Sequence, residues 1–135
     1  MKTKVIYKLG GLLILSIIVS SFDDVKTLKG KWEYAGDIFN GKAEGAPTEY
    51  TLERRFTKDK FESFLLEKGE KPQKYEAGEY SLEADTCYQT QTFSAQDSQL
   101  LNIRIKYKYT IVNDTLTLST TLPNGNKVTE FWKKK

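Results

Sequence analysis

Two charged residues stand on faces that otherwise read as apolar. Between Thr48 and Phe56, residues Tyr50, Leu52, Arg54 and Phe56 alternate onto one face, and near the C-terminus Val128, Glu130 and Trp132 do the same. If both faces point inward, a guanidinium and a carboxylate meet inside the fold. Desolvating such a pair is costly unless its geometry is good. The planar Arg fork could instead orient a polar group of a ligand. Tyr50, Tyr80, Tyr107 and Tyr109 would share that interior with Ile105 and Leu118. Aromatic bodies with one polar tip suit an amphipathic ligand, and they fill a solid core equally well.

Other chemistry finds little support. The chain has no His, which removes Ser-His-Asp and Cys-His catalysis and His-ligated zinc. Cys87 is the single cysteine, so no intrachain disulfide can form, and it reads as a small buried residue. Glu62, Glu67, Glu70, Glu76, Glu79 and Glu83 are numerous. They sit on strands or beside polar turns, which should leave them solvated rather than convergent as a glycoside-cleaving pair. There is no calcium-loop pattern and no Cys/His cluster. The expectation is a non-enzyme with no catalytic residues, no metal and no cofactor.

The elements that must position these residues occupy only part of the 135-residue chain. Lys2, Lys4 and Lys8 precede an apolar run from Leu9 to Val19, followed by small residues up to Ser21. A basic start, a short apolar run and small residues read as a secretory signal peptide over residues 1–21. The run is about half of the roughly 20 residues a bilayer span needs, so no stable membrane span is expected after cleavage. Residues 22–135 fit one small domain, exported to the periplasm or the extracellular space. Residues 1–21 hold three of the 21 basic side chains and none of the 18 acidic ones, leaving 18 of each. A neutral domain gives no electrostatic case for nucleic acid. The terminal Lys133-Lys134-Lys135 reads as a solvated basic tail.

Period-two alternation dominates after Trp32. From Leu101 to Ile111 the odd positions are apolar or tyrosine and the even ones polar, the pattern of a half-buried strand. Asn113-Asp114 then predicts a two-residue turn that places Ile111 opposite Leu116 and Tyr109 opposite Leu118. Pro123-Asn124-Gly125 predicts a three-residue loop, which turns Val128, Glu130 and Trp132 inward; a two-residue Asn-Gly loop would turn Thr129 and Phe131 inward instead. Further strands are expected over Lys31–Ile38, Thr48–Phe56, Phe61–Glu67, Lys74–Glu83 and Thr86–Phe93, with Phe39–Pro47 a Gly-rich loop and Asp23–Leu28 a helical turn. Eight short-linked antiparallel strands predict an all-β, up-and-down barrel, with a sandwich as the competing architecture. A barrel of this size is filled by side chains or holds one small ligand.

Gly30-Lys31-Trp32, placed at the start of the first strand, resembles the Gly-x-Trp signature of lipocalins and related calycins. Together with Gly78-Glu79-Tyr80 and Glu130-Phe131-Trp132-Lys133, it makes the chain similar to small exported bacterial lipocalin-like domains of unknown function, over nearly all of residues 25–135. The resemblance implies that Trp32 closes one end of the barrel. Gly30 would let the chain bend beneath it, and Trp132 and Lys133 would supply its neighbours. It brings no catalytic residues. The expected function is binding of a small apolar or amphipathic molecule in the barrel, with Tyr50, Arg54, Tyr80, Ile105, Tyr107, Tyr109, Leu118 and Glu130 as interior candidates. The alternative is a structural or interaction protein of the cell envelope with a filled barrel.

Overall fold

Alternation becomes strand pairing throughout the computed structural model, which describes residues 27–135. Nine antiparallel strands follow one another: β1 (Gly30–Phe39), β2 (Lys42–Gly45), β3 (Thr51–Phe56), β4 (Lys60–Leu66), β5 (Gln73–Glu83), β6 (Thr86–Ser94), β7 (Arg104–Val112), β8 (Thr115–Thr121) and β9 (Lys127–Lys134). From β3 onward each strand pairs with the next. β1 pairs with β3 on one side and β9 on the other. Strands β1 and β3–β9 therefore close into an eight-stranded up-and-down barrel. The signal peptide expected over residues 1–21 and most of the expected Asp23–Leu28 turn lie outside the described residues, among which there is no helix.

Turn chemistry sets the register of the last three strands. Asn113 and Asp114 both adopt positive φ, 49° and 60°, as a type I′ hairpin turn requires. Ile111 then faces Leu116 and Tyr109 faces Leu118. Leu122 N–H donates to Asn126 O at 2.8 Å, closing a three-residue loop. Glu130 consequently faces Leu118, and Trp132 faces Leu116, both pairs on the inward side.

Three local features depart from the sequence reading. The Phe39–Pro47 segment is not all loop, because Asn40 and Gly41 (φ 49° and 85°) turn the chain into the short strand β2. Leu101 and Ile103 do not extend β7 inward. Asn102 N–H bonds to Gln91 O at 2.7 Å, which fixes this segment over β6 and leaves Leu101 43% and Ile103 39% exposed. Ala35 forms a β-bulge: Tyr34 faces Trp132, and Gly36, not Ala35, faces Phe131. Such an extra residue reverses the side-chain parity beyond it. Asp37 thereby shares the inward face with its partner Glu130. Gly36 has φ 121°, and a Cβ there would stand 2.5 Å from Glu44 O of β2, so the bulge needs glycine.

One end of the barrel is sealed. Leu28, Trp32, Phe56, Tyr80, Cys87, Tyr109 and Leu116 pack there as buried residues, each buried aliphatic or Phe side chain contributing about 1.5–3 kcal/mol. Trp32 Nε1 donates to Leu28 O at 2.8 Å, and Tyr80 OH donates to Thr57 O at 2.5 Å. The basic neighbour of Trp32 is Lys134, not Lys133. Lys134 pairs with Trp32, while Lys133 pairs with Glu33 on the opposite face. Lys134 Nζ sits 4.8 Å from the Trp32 ring centroid and donates to Lys29 O at 2.5 Å. Gly30, at φ 123°, is what admits it, since a Cβ there would stand 2.5 Å from Nζ. The terminal lysines are likewise docked rather than a free tail: Lys135 Nζ bonds Glu53 Oε1 at 2.7 Å.

Candidate functional site

Above the apolar floor the inward residues become polar. Arg54 comes from β3, Ser63 from β4, Glu76 from β5, Gln89 and Gln91 from β6, Tyr107 from β7, Glu130 from β9, and Asp37 from β1 beyond the bulge. Arg54 anchors this layer. Its Nε donates to Ser63 Oγ at 2.9 Å, and its terminal NH2 group bonds Glu76 Oε1 at 2.6 Å. The guanidinium carbon lies 4.5 Å from the Trp132 ring centroid and 4.9 Å from that of Phe61. Two aromatic faces and two oxygen partners hold it while only 7% of its side chain is exposed. Burial works against its charge, but Glu76 and Glu130 outweigh this and push its pKa above the usual Arg value.

The three inward carboxylates are not equally served. Glu76 accepts from Arg54, from Ser63 Oγ at 3.3 Å and from Gln91 Nε2 at 2.7 Å. Glu130 accepts from Trp132 Nε1 at 3.0 Å and stands 4.0 Å from Arg54. Burial pushes its carboxyl above the usual range, with Glu76 and Asp37 adding to the rise and Arg54 and Trp132 opposing it. Asp37 accepts from Tyr34 OH at 2.6 Å. Its other oxygen, Oδ1, is shielded from solvent and has no hydrogen-bond partner. Burial, together with that hydrogen bond to Asp37, pushes the Tyr34 phenol well above its usual range.

Space remains in this half. Glu130 and Glu76 point into the barrel, yet 24% and 20% of their side-chain surface is accessible. A cavity of about 30 Å³ lies among Phe61, Glu76, Gln89, Gln91, Ile105 and Tyr107, with Leu100 and Ile103 over it. That is enough for a water-sized group. The covering segment, residues 95–103, is tied to β6: Ser98 Oγ donates to Gln91 Oε1, and Leu101 bridges to Gln91.

The expected interior residues thus divide. Arg54, Ile105, Tyr107, Leu118 and Glu130 line or support the polar layer. Tyr80 and Tyr109 belong to the sealed floor, each at most 6% exposed. Tyr50 lies outside the strands, in the β2–β3 connection, 38% exposed, because β3 begins only at Thr51. Asp37 and Glu76 are additional inward acids. Burial pushes the Cys87 thiol up to about 11, far from the low value a reactive thiolate needs. Among the described residues no group of three Cys, Asp or Glu side chains converges as a metal-ligand set.

No family model matches the chain, and no curated protein matches it.

Proposed function

We propose that the protein is an exported, lipocalin-like, non-enzymatic binding module that holds a small amphipathic molecule in the open half of its barrel. The observation carrying this reading is the pair of inward carboxylates, Glu76 and Glu130, that flank a committed Arg54 and still present accessible surface inside the barrel. A barrel built only to be a solid core gains nothing from charged groups facing internal space, because each costs desolvation energy. A sealed floor and a polar upper half offer a ligand one dry end and one wet end. The β6–β7 segment would govern access.

The test is solvent extraction of the natively purified protein, followed by mass spectrometry. A stoichiometric amphipathic compound, lost from Glu130→Gln protein that still melts cooperatively, is the expected result. Ligand-free protein that also takes up no amphiphile on incubation would overturn the reading. A second reading is an envelope interaction protein with a filled barrel. It draws on Phe39, Tyr50, Leu101 and Ile103, exposed by 38–43% at or beside the open end. Capture of a protein partner lost on Leu101→Ser and Ile103→Ser substitution would favour it.

A further inference from the structure

Residues 95–103 cover the polar half as a strap, but little of the strap is packed. Only Ser98 and Leu100 are partly buried, and the others are exposed. A segment with so little apolar burial opens locally at small cost unless hydrogen bonds hold it. Those bonds converge on one residue. Ala95 N–H donates to Tyr75 O at 2.9 Å. Beyond Ala95, every bond from the strap to the barrel, among the described residues, ends on Gln91. Asn102 N–H donates to Gln91 O at 2.7 Å, and Ser98 Oγ donates to Gln91 Oε1. The remaining bonds are internal to the strap: Leu100 N–H to Ser98 Oγ at 3.2 Å and Ile103 N–H to Leu100 O at 3.0 Å.

The same amide reaches inward. Gln91 Nε2 donates to Glu76 Oε2 at 2.7 Å, and Arg54 holds Glu76 Oε1. An ionised carboxylate only accepts, so Glu76 takes the nitrogen side of the amide and turns the oxygen side towards Ser98. The Arg54–Glu76 pair thus sets the Gln91 side chain without touching the strap. We propose that Gln91 is the latch of this strap, which opens by release from Gln91 and admits the ligand to the space beneath, an inference that rests on the binding reading above. That space is lined for a polar group. Gln89 faces it, 6% exposed. Among the described residues its amide nitrogen meets only Cys87 Sγ, a weak acceptor at 3.6 Å. Ile105 and Tyr107 line it from β7. With the strap in place the cavity of about 30 Å³ takes one water-sized group. An amphiphile enters only when Leu100 and Ile103 are displaced.

Native-state hydrogen exchange in the full chain tests the latch, read at the amides of Leu100, Asn102 and Ile103. The control is Tyr109 N–H, which bonds Asp85 O at 2.9 Å at the closed end. Ser98→Ala cuts one strap bond, and Gln91→Met cuts both bonds of the side-chain amide. Each should speed exchange at the strap amides about tenfold, the loss of roughly one hydrogen bond, and leave Tyr109 unchanged. Gln91→Glu keeps an acceptor for Ser98 but sets a carboxylate against Glu76. The strap amides should quicken here too, which a role confined to the Ser98 bond would not produce. Uptake of N-phenyl-1-naphthylamine, a fluorescent probe with an aromatic body and one N–H, should quicken in the same variants. Strap exchange unchanged in Ser98→Ala and Gln91→Met would overturn the latch and leave the binding reading standing. Faster strap exchange, with no probe taken up by any variant or by the parent protein, would remove the binding reading and the gate with it.

Discussion

Glu53 and Glu130 are both glutamates on neighbouring parts of one barrel, and they are treated in opposite ways. Glu53 lies on the outer side of β3, only 3% exposed, with both oxygens engaged at 2.7 Å, by Arg55 Nε and Lys135 Nζ. Burial alone would raise its pKa; those two hydrogen bonds outweigh it and hold the carboxyl below its usual range. Glu130 faces the interior with one indole donor and a distant guanidinium, and its pKa is raised. The closed end satisfies its charges and stabilises the fold. The polar half leaves Glu130 and Asp37 Oδ1 less fully served.

The largest expected break in that contrast comes from the floor. Trp32→Ala removes the plug that bonds Leu28 and carries Lys134, and should cost about 3–5 kcal/mol by urea denaturation. The same measurement on Glu130→Gln should show no loss.

Glu53→Gln comes next, at about 1.5–3 kcal/mol near neutral pH, from weakened charged hydrogen bonds. pH sharpens the comparison. Stability from Glu53 is present above the unfolded-chain value of about 4.3 and is lost as pH falls through its lower folded value. The Glu130 contribution has the reverse sign: it is present below about 4.3 and is lost as pH rises through its higher folded value. Denaturant midpoints measured from pH 3 to 8 should therefore show Glu53→Gln flattening the acid limb. Glu130→Gln should stabilise at neutral pH but not in acid.

The smallest effect belongs to an exposed pair. Lys74 and Glu62 meet at 3.5 Å with side chains 43% and 52% exposed, and Glu62→Gln should move the midpoint by no more than about 0.5 kcal/mol. A larger shift would show that exposed charges on this barrel count as the Glu53 pair does.

The last three strands were legible in the sequence because alternation and turn chemistry agree there. Asn113-Asp114 and Pro123-Asn124-Gly125 each permit one loop length that keeps the apolar faces together. The register places Glu130 inside for the same reason, and Arg54 follows from the alternation of Leu52, Arg54 and Phe56 along β3. Asp37 was not legible, since the bulge at Ala35 reverses parity and leaves no mark in the alternation. Glu76 could have been found: it shares parity with Gly78 and Tyr80 on β5, and only its position beside a polar loop made it look solvated. β2 was announced by Asn40-Gly41, a strong hairpin signal, but its four residues are all exposed and show no apolar pattern. Lys133 follows the inward Trp132 and so alternates onto the opposite face, while Lys134 shares the inward parity and reaches Trp32; the motif position, not the alternation, pointed to Lys133.

The seam between β1 and β9 also has a consequence for how the molecule comes into being. It joins Trp32 to Lys134 and Phe39 to Val128, so the contact that turns an open sheet into a barrel links the two extremes of the folded region. Hairpins such as β7–β8 can assemble locally and quickly. Closure pairs strands from opposite extremes of the folded region and so carries the slow kinetics of long-range pairing. Until then the chain is a sheet with two unprotected edges and an uncovered apolar face. Loss of Lys134 and Lys135 would remove the Trp32–Lys134 pair and the Lys135–Glu53 bond at the closed end, while the pairs from Glu33–Lys133 to Phe39–Val128 would still hold the seam.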